Sequence, residues 1–297
     1  MEDHRSEFRM EKMCSVLGVS RSGYHKRCQE KANENTYQKR RKALLARITW
    51  FFHDAAKRYG SPKITKLLKK EGWTVSERLV GKLMRENNLR SCVSKKFRVQ
   101  TTDSNHTNPI APNVLNQQFT TTEPNKVWVT DITYVPCREG RLYLASVLDL
   151  YTRKIVGWKL GDQMTTDLIL GALDKAYEAK KPAEGLLHHS DRGSQYTSEE
   201  YRKRLKKYKM KASMSRKGNC YDNACIESFH SVLKKEFIYC TRFRTKEQAQ
   251  KEMFQYIEFF YNRKRIHGSL GYESPDRFEE MYYKNRNEIA LKECPLS

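Results

Sequence analysis

The sequence predicts an α/β fold, a mixed five-stranded sheet with flanking helices, preceded by all-α helix-turn-helix modules. Two observations predict it. From residue 126 to residue 215, short runs rich in β-branched and aromatic residues alternate with segments of helical periodicity. Before residue 96, helical periodicity is interrupted by glycine and serine where helices end and begin. Strands that alternate with helices are typical of a layered α/β domain.

The first helical pair lies within residues 10–29, "MEKMCSVLGVSRSGYHKRCQ". Gly18 is expected to end one helix, and Ser20 is expected to cap the next. An apolar face of the first helix consists of Met13, Val16 and Leu17. A helix-turn-helix and an ordinary helical hairpin both have this pattern, so this segment alone leaves the two interpretations open.

The pattern returns in residues 59–89, after a predicted helix over 38–58. Pro62 stands in the first turn of a helix that ends at Gly72, and Ser76 caps the following helix. The apolar positions that helical spacing assigns to buried faces are Leu44, Leu45, Ile48, Phe51, Phe52, Ile64, Leu67, Leu68, Leu79, Val80, Leu83 and Met84. Two basic units of this kind favour a DNA-binding region over a simple hairpin.

The charge of the chain also indicates a nucleic-acid partner. The 297 residues include 57 Lys and Arg against 35 Asp and Glu, a net charge of +22. Residues 1–100 hold 25 basic and 10 acidic side chains, a net +15. A large and uneven positive charge indicates a polyanionic ligand, of which nucleic acid is the commonest. A basic protein whose charge only keeps it in solution is the alternative.

Several classes of protein are disfavoured. The 8 cysteines include no Cys-x-x-Cys pair, which argues against a zinc ribbon or a disulfide framework. The N-terminal residues lack the apolar run of a signal peptide, and no stretch approaches the roughly 20 apolar residues of a membrane span. We therefore expect no membrane partner and a cytoplasmic, nucleoid-associated protein.

The strands of the second region follow one another closely. Residues 126–136, 141–151 and 153–161 are β-rich runs joined by short turns, which predicts three antiparallel strands. A helix over 165–180 follows, with Leu168, Ile169, Ala172, Leu173 and Ala176 on one side. The remaining predicted elements are a strand at 185–191, a helix at 198–209, a strand at 210–215 and a helix within 218–236.

Two acids stand near the start of that last helix, in "GNCYDNACIESFHSVLKKE". Asp222 fits an N-cap, with Tyr221 and Ile226 spaced as a hydrophobic staple. Glu227 borders the apolar stripe of the helix, where a carboxylate has a desolvation cost to offset. Metal binding is one way to offset it.

Two further acids are candidate partners for Glu227. Asp131 interrupts the otherwise apolar strand "VWVTDITYV", although Asp is disfavoured in strands. Asp191 directly follows a strand, at the edge where α/β proteins tend to place their sites. Three carboxylates on one spot would repel one another. Two Mg²⁺ ions about 3.5–4 Å apart would neutralise them and would clamp a phosphodiester, with Mn²⁺ as a possible substitute.

Four separated motifs resemble one known family. They are "WVTDITY" at 128–134, "HHSDRGSQYTS" at 188–198, "GNCYDNACIESFHSVLKKE" at 218–236 and "FFYNRKRIHGSLGYESP" at 259–275. Together they resemble the DDE transposases of the bacterial insertion-sequence-three family, relatives of retroviral integrases. The resemblance covers the whole chain.

The resemblance implies an RNase H-like catalytic core in which Asp131, Asp191 and Glu227 form the acidic triad. It implies Mg²⁺-dependent cleavage at transposon ends, followed by attack of the new 3′-OH on a second phosphodiester. Asp131 would bridge both metal ions, while Asp191 and Glu227 would each hold one.

The implied partners are double-stranded DNA, namely terminal inverted repeats and target DNA, and further copies of the chain in a homo-oligomer on DNA. Since the chain resembles a second-reading-frame product, an upstream-frame protein is expected as fusion or partner.

The expected domain organisation has five parts. They are a helix-turn-helix-like segment (1–35), a helical DNA-binding domain (36–95), a polar linker (96–124), the RNase H-like integrase core (125–240) and a basic helical C-terminal extension (241–297).

The candidate DNA-contact residues are basic side chains near the motifs. Lys234 matches a basic position that the family places seven residues after the glutamate. Arg192 follows Asp191, and "YNRKRIH" contributes Arg263, Lys264 and Arg265. The backbone of DNA attracts such clusters. The interpretation favoured for His188, His189 and His230 is that of core or surface histidines.

Two other functions are compatible with parts of the sequence. A metal-dependent nuclease on the same core would cut DNA without joining it. A non-catalytic DNA-binding inhibitor of transposition would use only residues 1–95 and would have no need of three carboxylates.

Overall fold

The computed structural model describes residues 4, 6–32, 36–93 and 109–293. They fall into two compact units that divide between Ser91 and Cys92. None of the helices in these ranges is both long enough and apolar enough to cross a membrane.

The first unit is helical. Its helices are α1 (Met10–Val16), α2 (Arg21–Ala32), α3 (Thr36–Asp54), α4 (Ser61–Lys70) and α5 (Glu77–Glu86). Gly18 and Gly72 follow α1 and α4 at φ +64° and +87°, a conformation that glycine adopts without steric cost. Ser76 accepts a hydrogen bond from the Leu79 N–H at 3.2 Å and thereby caps α5. The predicted helix boundaries are therefore confirmed to within a few residues.

The core of this unit uses most of the predicted apolar positions. The buried ones include Leu44, Ile48, Phe51, Phe52, Ile64, Leu68, Val80, Leu83 and Met84. The predicted apolar face of α1 is wrong, because Val16 and Leu17 are 79% and 59% exposed whereas Cys14 is buried. This helix of seven residues fully buries only Cys14, while Met10 and Met13 are partly buried.

The second unit is the α/β domain. Its strands are β1 (Val127–Cys137), β2 (Gly140–Asp149), β3 (Ile155–Gly161), β4 (Leu187–Ser190) and β5 (Lys211–Met214). Its helices are α6 (Thr166–Lys180), α7 (Glu199–Lys207), α8 (Ala224–Glu236), α9 (Lys246–Phe254) and α10 (Pro275–Glu293), with a π-helical segment Gln255–Asn262 continuing α9. This element order confirms the predicted α/β architecture.

The strands form one mixed sheet in the order β3-β2-β1-β4-β5. β1, β2 and β3 pair antiparallel, while β4 pairs parallel to both β1 and β5. The central strand β1 therefore joins an antiparallel half to a parallel half. An acid in the middle of β1 lies beside the carboxyl end of β4, because those two strands run in the same direction.

Helices cover the two faces differently. The main core packs α6 and α7 against Trp128, Ala145 and Val147 of the sheet. Since side chains alternate between faces along a strand, Asp131 lies on the face opposite Trp128. α8 covers that second face, where its His230 contacts both Asp131 and Ser146.

Residues 109–124, the described part of the predicted linker, are irregular and lie against β5. The N–H groups of Val114 and Leu115 donate to the Ser213 hydroxyl at 3.0 and 3.1 Å. Leu115 is buried. This stretch is thus anchored to the second unit by backbone hydrogen bonds.

Candidate active site

Asp131 lies in the middle of β1, opposite Ser146 of β2. Its side chain is 21% exposed, and its Oδ2 lies 3.3 Å from Nδ1 of His230 in α8. Nε2 of the same imidazole lies 2.8 Å from the Ser146 hydroxyl. The predicted apolar strand thus carries its acid on the face that α8 covers.

Asp191 directly follows β4. The parallel register pairs Val129 with His189; Asp131 lies two residues further along β1, and Asp191 lies two residues beyond His189, just past the end of β4. Because neighbouring strands are about 4.8 Å apart, the end of β4 brings Asp191 beside the part of β1 that carries Asp131. The Gly193 N–H donates to Asp191 Oδ1 at 3.0 Å. A Cβ at Gly193 would lie 3.1 Å from that oxygen, so the tight turn around Asp191 favours glycine.

Glu227 lies in the first turn of α8. Its side chain reaches solvent, yet partial burial raises the pKa of Glu227, and the negative charge of Asp131 raises it further. His230, three residues after Glu227 in α8, contacts Asp131, so this part of the helix lies beside the strand that carries Asp131.

Asp131 also acts on other groups of the site. Burial raises the pKa of Tyr196 well above its usual range, and Tyr201 and then Asp131 and Asp191 add to that effect. Burial lowers the pKa of Lys234, while Asp131 opposes the shift. Asp131, Glu227 and Lys234 thus form an electrostatic cluster on β1 and α8, with Asp191 after β4, and the charges of both aspartates also reach Tyr196 in the core.

The chemistry of this cluster fits a divalent cation such as Mg²⁺, which prefers oxygen ligands. Mutual repulsion between Asp131 and Glu227 is what a bound cation would relieve. The amide oxygen of Asn223 is buried beside them without a hydrogen-bond partner among the described residues, whereas its Nδ2 donates to the Thr130 carbonyl. Within the described ranges, no three His, Cys, Asp or Glu side chains already form an arrangement that could hold a metal ion.

Comparison with known proteins identifies the family. The family model described as "Integrase core domain" matches residues 121–220, a second integrase core model matches 208–275, and an "HTH-like domain" model matches 39–97. A 31 kDa protein of insertion element IS600 from Shigella sonnei is 43% identical over 272 residues, which cover 92% of this chain and 99% of that protein. Transposase InsF of insertion sequence IS3A from Escherichia coli K12 is 39% identical over 279 residues, covering 94% of this chain and 96% of that protein.

This chain belongs to the IS3 family of transposases. Its activity is accordingly DNA transposition, and the enzyme is a polynucleotidyl transferase with an integrase-type core. The predicted family and fold are confirmed.

Solved viral structures are similar to parts of the transposase. The HTLV-2 integrase catalytic core domain in complex with magnesium covers 53% of this chain and 97% of that chain, at 15% identity and a TM-score of 0.40. A simian T-cell lymphotropic virus intasome in complex with PP2A regulatory subunit B56 gamma covers 79% of this chain and 74% of that chain, at 12% identity and a TM-score of 0.44.

Two of the predicted DNA-contact residues border the acidic cluster of the transposase. Lys234 is half-buried, with Nζ 4.7 Å from the centroid of the Tyr134 ring. Arg192 follows Asp191, and its Nε donates to the Ser215 carbonyl at 2.6 Å. The ring contact of Lys234 and the hydrogen bond of Arg192 hold these two side chains near the acids.

The basic triplet after the π-helical segment divides into two kinds of residue. Arg263 and Lys264 are exposed, and the Arg263 guanidinium lies 5.1 Å from the Phe259 ring centroid. Arg265 is 6% exposed and forms a bidentate pair with the buried Glu236, both contacts being 2.8 Å. The prediction that Arg265 contacts DNA is therefore wrong, because its charge is already neutralised inside the fold.

Asp222 has a structural role other than the predicted one. α8 begins at Ala224, and Asn223 occupies the N-cap position without a side-chain cap. The fully buried Asp222 instead accepts hydrogen bonds from Arg216, Asn113 and Gln117. These bonds, that of Arg216 foremost, hold the pKa of Asp222 well below its usual range. The predicted staple is also wrong, since Tyr221 is 71% exposed.

The burial of His230 agrees with the interpretation as a core histidine, but the sequence pattern does not predict its contact with Asp131, nor any role for Asn223. Both are buried and polar; Asn223 is the N-cap four residues before Glu227, and His230 lies three residues after it in α8. A polar residue that interrupts a buried stripe at helical spacing from a candidate acid is the signal that could have identified them.

Proposed function

We propose that Asp131, Asp191 and Glu227 are the catalytic acids of this transposase and that they bind the metal ions of DNA cleavage and strand transfer. The observation that carries the proposal is the position of Asp131. It lies two residues beyond Val129 in β1, and Asp191 lies two residues beyond His189, the β4 partner of Val129, while the charge of Asp131 raises the pKa of Glu227. One strand, the end of a neighbouring strand and one helix thereby contribute a carboxylate each.

Two Mg²⁺ ions, or Mn²⁺ in their place, would supply activation of the attacking oxygen and stabilisation of the leaving oxygen. The chain itself orients the ligands. The Gly193 N–H binds the Asp191 carboxylate, and the pairing of His189 with Val129 brings the end of β4 beside β1. Glu227 comes from a separate helix, so its position depends on how α8 packs on β1.

Basic side chains near the acids would bind the DNA backbone. Lys234 and Arg192 are our candidates beside the acids, and Arg263 and Lys264 are candidates on the exposed surface. We expect the duplex to carry the ends of the element and the target, and we expect several copies of the chain to assemble on it. An upstream-frame protein as partner, and action in the cytoplasm at the nucleoid, belong to the same proposal.

A strand-transfer assay tests the triad. The full chain is incubated with Mg²⁺ and labelled duplex oligonucleotides that carry the two ends of the encoding element. Asp131→Asn, Asp191→Asn and Glu227→Gln should each lower cleavage and joining by about 1,000-fold or more, because loss of a metal ligand removes several kcal/mol of transition-state stabilisation. End binding in a mobility-shift assay should survive.

Asp174→Asn is the matched control, since Asp174 of α6 forms an ion pair with Arg204 away from the cluster. It should retain wild-type joining. A triad variant with normal cleavage would remove that residue from the site. Cleavage without joining by the wild-type chain would favour a nuclease, and binding that ignores Mg²⁺ with no cleavage would favour an inhibitor.

A further inference from the structure

Two buried side chains connect α8 to β1 on either side of Glu227. Asn223 Nδ2 donates to the Thr130 carbonyl at 3.0 Å. His230 Nδ1 lies 3.3 Å from Asp131 Oδ2. Asn223 and His230 are 3% and 5% exposed, so both contacts form in an interior that water hardly reaches.

The two contacts are made to the same short segment of β1. Thr130 and Asp131 are consecutive, and the carbonyl that Asn223 binds belongs to the peptide group that leads into Asp131. His230 reaches one strand further, because its Nε2 lies 2.8 Å from the hydroxyl of Ser146, the β2 residue opposite Asp131. α8 is therefore tied to β1, the strand that carries Asp131, and to β2, its antiparallel neighbour.

Glu227 lies between the two ties along the chain, four residues after the N-cap Asn223 and three residues before His230. Within α8, residues three apart are neighbours on the helix surface, so His230 is a neighbour of Glu227. A shift of α8 by one residue would move it about 1.5 Å along its axis and turn it by about 100°, and both ties would break. The buried amide and imidazole would then lose their partners, at a cost of about 1–3 kcal/mol each. One position and one rotation of α8 on the sheet are thus strongly favoured.

This position of α8 keeps two mutually repelling carboxylates close together. Asp131 raises the pKa of Glu227, so the two carboxylates disfavour each other when both are ionised. Without a restraint, α8 could relax by carrying Glu227 away from Asp131. The ties at both ends of this stretch prevent that relaxation.

We propose that Asn223 and His230 are positioning residues of the transposase, which hold α8 on β1 so that Glu227 and Asp131 can bind the same metal centre. The inference rests on the proposed triad. It assigns to neither residue a contact with substrate or metal, and it explains why two polar side chains are buried under the helix that carries the glutamate.

The test measures metal binding directly. Mn²⁺ alone is titrated into the full chain, and bound ion is followed by electron paramagnetic resonance and calorimetry. Asn223→Ala and His230→Ala should each weaken Mn²⁺ binding by about 10-fold or more, the effect typical of residues that orient ligands. The Mg²⁺ concentration for half-maximal strand transfer should rise by a similar factor.

Conservative replacements sharpen the test. His230→Asn retains a donor near the Nδ1 position and should restore much of the Mn²⁺ affinity, whereas His230→Gln retains polarity nearer Ser146 and should not. Equal affinities for these two variants would contradict a specific tie to Asp131.

Matched controls separate positioning from general destabilisation. Asn262→Ala removes another buried asparagine whose amide bonds a strand backbone, that of Ile155 in β3. His188→Ala removes another buried histidine, which bonds Tyr201. Both should lower the melting temperature and leave the Mn²⁺ affinity of the folded protein unchanged. If they weaken Mn²⁺ binding as much as Asn223→Ala and His230→Ala do, the positioning role is overturned.

The test also distinguishes failure of the two proposals. If Asp131→Asn loses Mn²⁺ while Asn223→Ala and His230→Ala bind it as wild type does, the positioning role fails and the triad stands. If Asp131→Asn and Glu227→Gln bind Mn²⁺ as wild type does, the triad itself fails.

Discussion

Burial decides what a charged or titratable residue does in this transposase, and Arg265 and Glu236 illustrate it. Their side chains are only 7% and 8% exposed, and they neutralise each other in the interior. Arg263, two positions earlier, has a side chain that is 64% exposed. Basic residues two positions apart in one motif therefore lie in different environments, and a buried charge must be paired whereas an exposed one can bind a ligand.

His188 of β4 gives a prediction at the same scale. It is fully enclosed and bonds the Tyr201 hydroxyl at 2.5 Å. Burial, and to a smaller extent the neighbouring His189, lowers the pKa of His188 to about 3. A histidine is ordinarily half-protonated near pH 6.5, so on acidification the unfolded chain takes up this proton before the folded chain does. Stability is therefore lost as the pH falls from about 6.5 towards the folded-state pKa.

His188→Gln should remove that proton linkage. Between pH 6 and pH 4, the free energy of unfolding of the wild type should fall more steeply than that of the variant, by about 1.4 kcal/mol per pH unit. Urea unfolding at several pH values measures both slopes. Tyr201→Phe removes the hydrogen bond but keeps the histidine, so it should keep the wild-type slope. Parallel slopes for wild type and His188→Gln would contradict the prediction.

At the scale of elements, α6 packs directly on the backbone of β3. A Cβ built on Gly157 of β3 would lie 2.3 Å from the carbonyl oxygen of Ala172 and 2.7 Å from Cβ of Ala176. Backbone atoms of a helix cannot move aside as the end of a long side chain can. Glycine is therefore required by close approach at this position, and not by its own backbone conformation.

Gly157→Ala should displace α6 and lower the free energy of unfolding by about 1–3 kcal/mol, the usual cost of overpacking a core. Thermal or urea unfolding of the full chain measures it. Gly268→Ala is the control, because a Cβ there meets nothing within 4 Å, and it should change stability by less than about 0.5 kcal/mol. A Gly157→Ala variant as stable as that control would contradict the close packing of α6 on β3.

The acidic cluster is a further consequence of how elements meet. β1 and β4 run parallel, so the acid that follows the end of β4 comes beside β1, which carries the mid-strand acid. The third acid comes from α8, which Asn223 and His230 connect to β1 by side-chain contacts. The places of two acids therefore follow from strand pairing, and the place of the third follows from how α8 packs on β1.

For the whole molecule, the net charge of +22 makes DNA binding a salt-dependent equilibrium. Each phosphate neutralised by a basic side chain releases counterions, and the slope of log K against log salt concentration is about −0.9 per contact. The expected contacts are exposed basic residues near the acidic cluster and in the C-terminal motif. The slope of log K against log salt concentration therefore reports the number of those contacts.

Arg263→Ala combined with Lys264→Ala should make that slope less negative by about 2, since two phosphate contacts are removed. Fluorescence anisotropy with a labelled duplex between low and moderate salt measures it. Lys206→Ala combined with Lys207→Ala removes the same charge from exposed positions of α7, on the other side of the sheet from α8. That control should keep the wild-type slope. A change of equal size in both double variants would show that net charge, and not a defined contact, governs binding.

The amino-acid sequence by itself determined the order of elements, the stripes that face the core and the candidate acids. The buried side of α6 matches the predicted Leu168, Ile169, Ala172, Leu173 and Ala176. The reason is that helix periodicity, strand alternation and turn chemistry operate over a few neighbouring residues, all of which can be read from one stretch of chain.

Only the tertiary structure decided which polar groups meet. Asp222 bonds Asn113 across 109 residues, Asn223 bonds Thr130 across 93, and His230 bonds Ser146 across 84. A local pattern cannot distinguish a helix cap from a buried ion pair, or an exposed arginine from one that pairs with Glu236. These differences arise when distant segments exclude water together, because burial then makes each polar group depend on a specific partner.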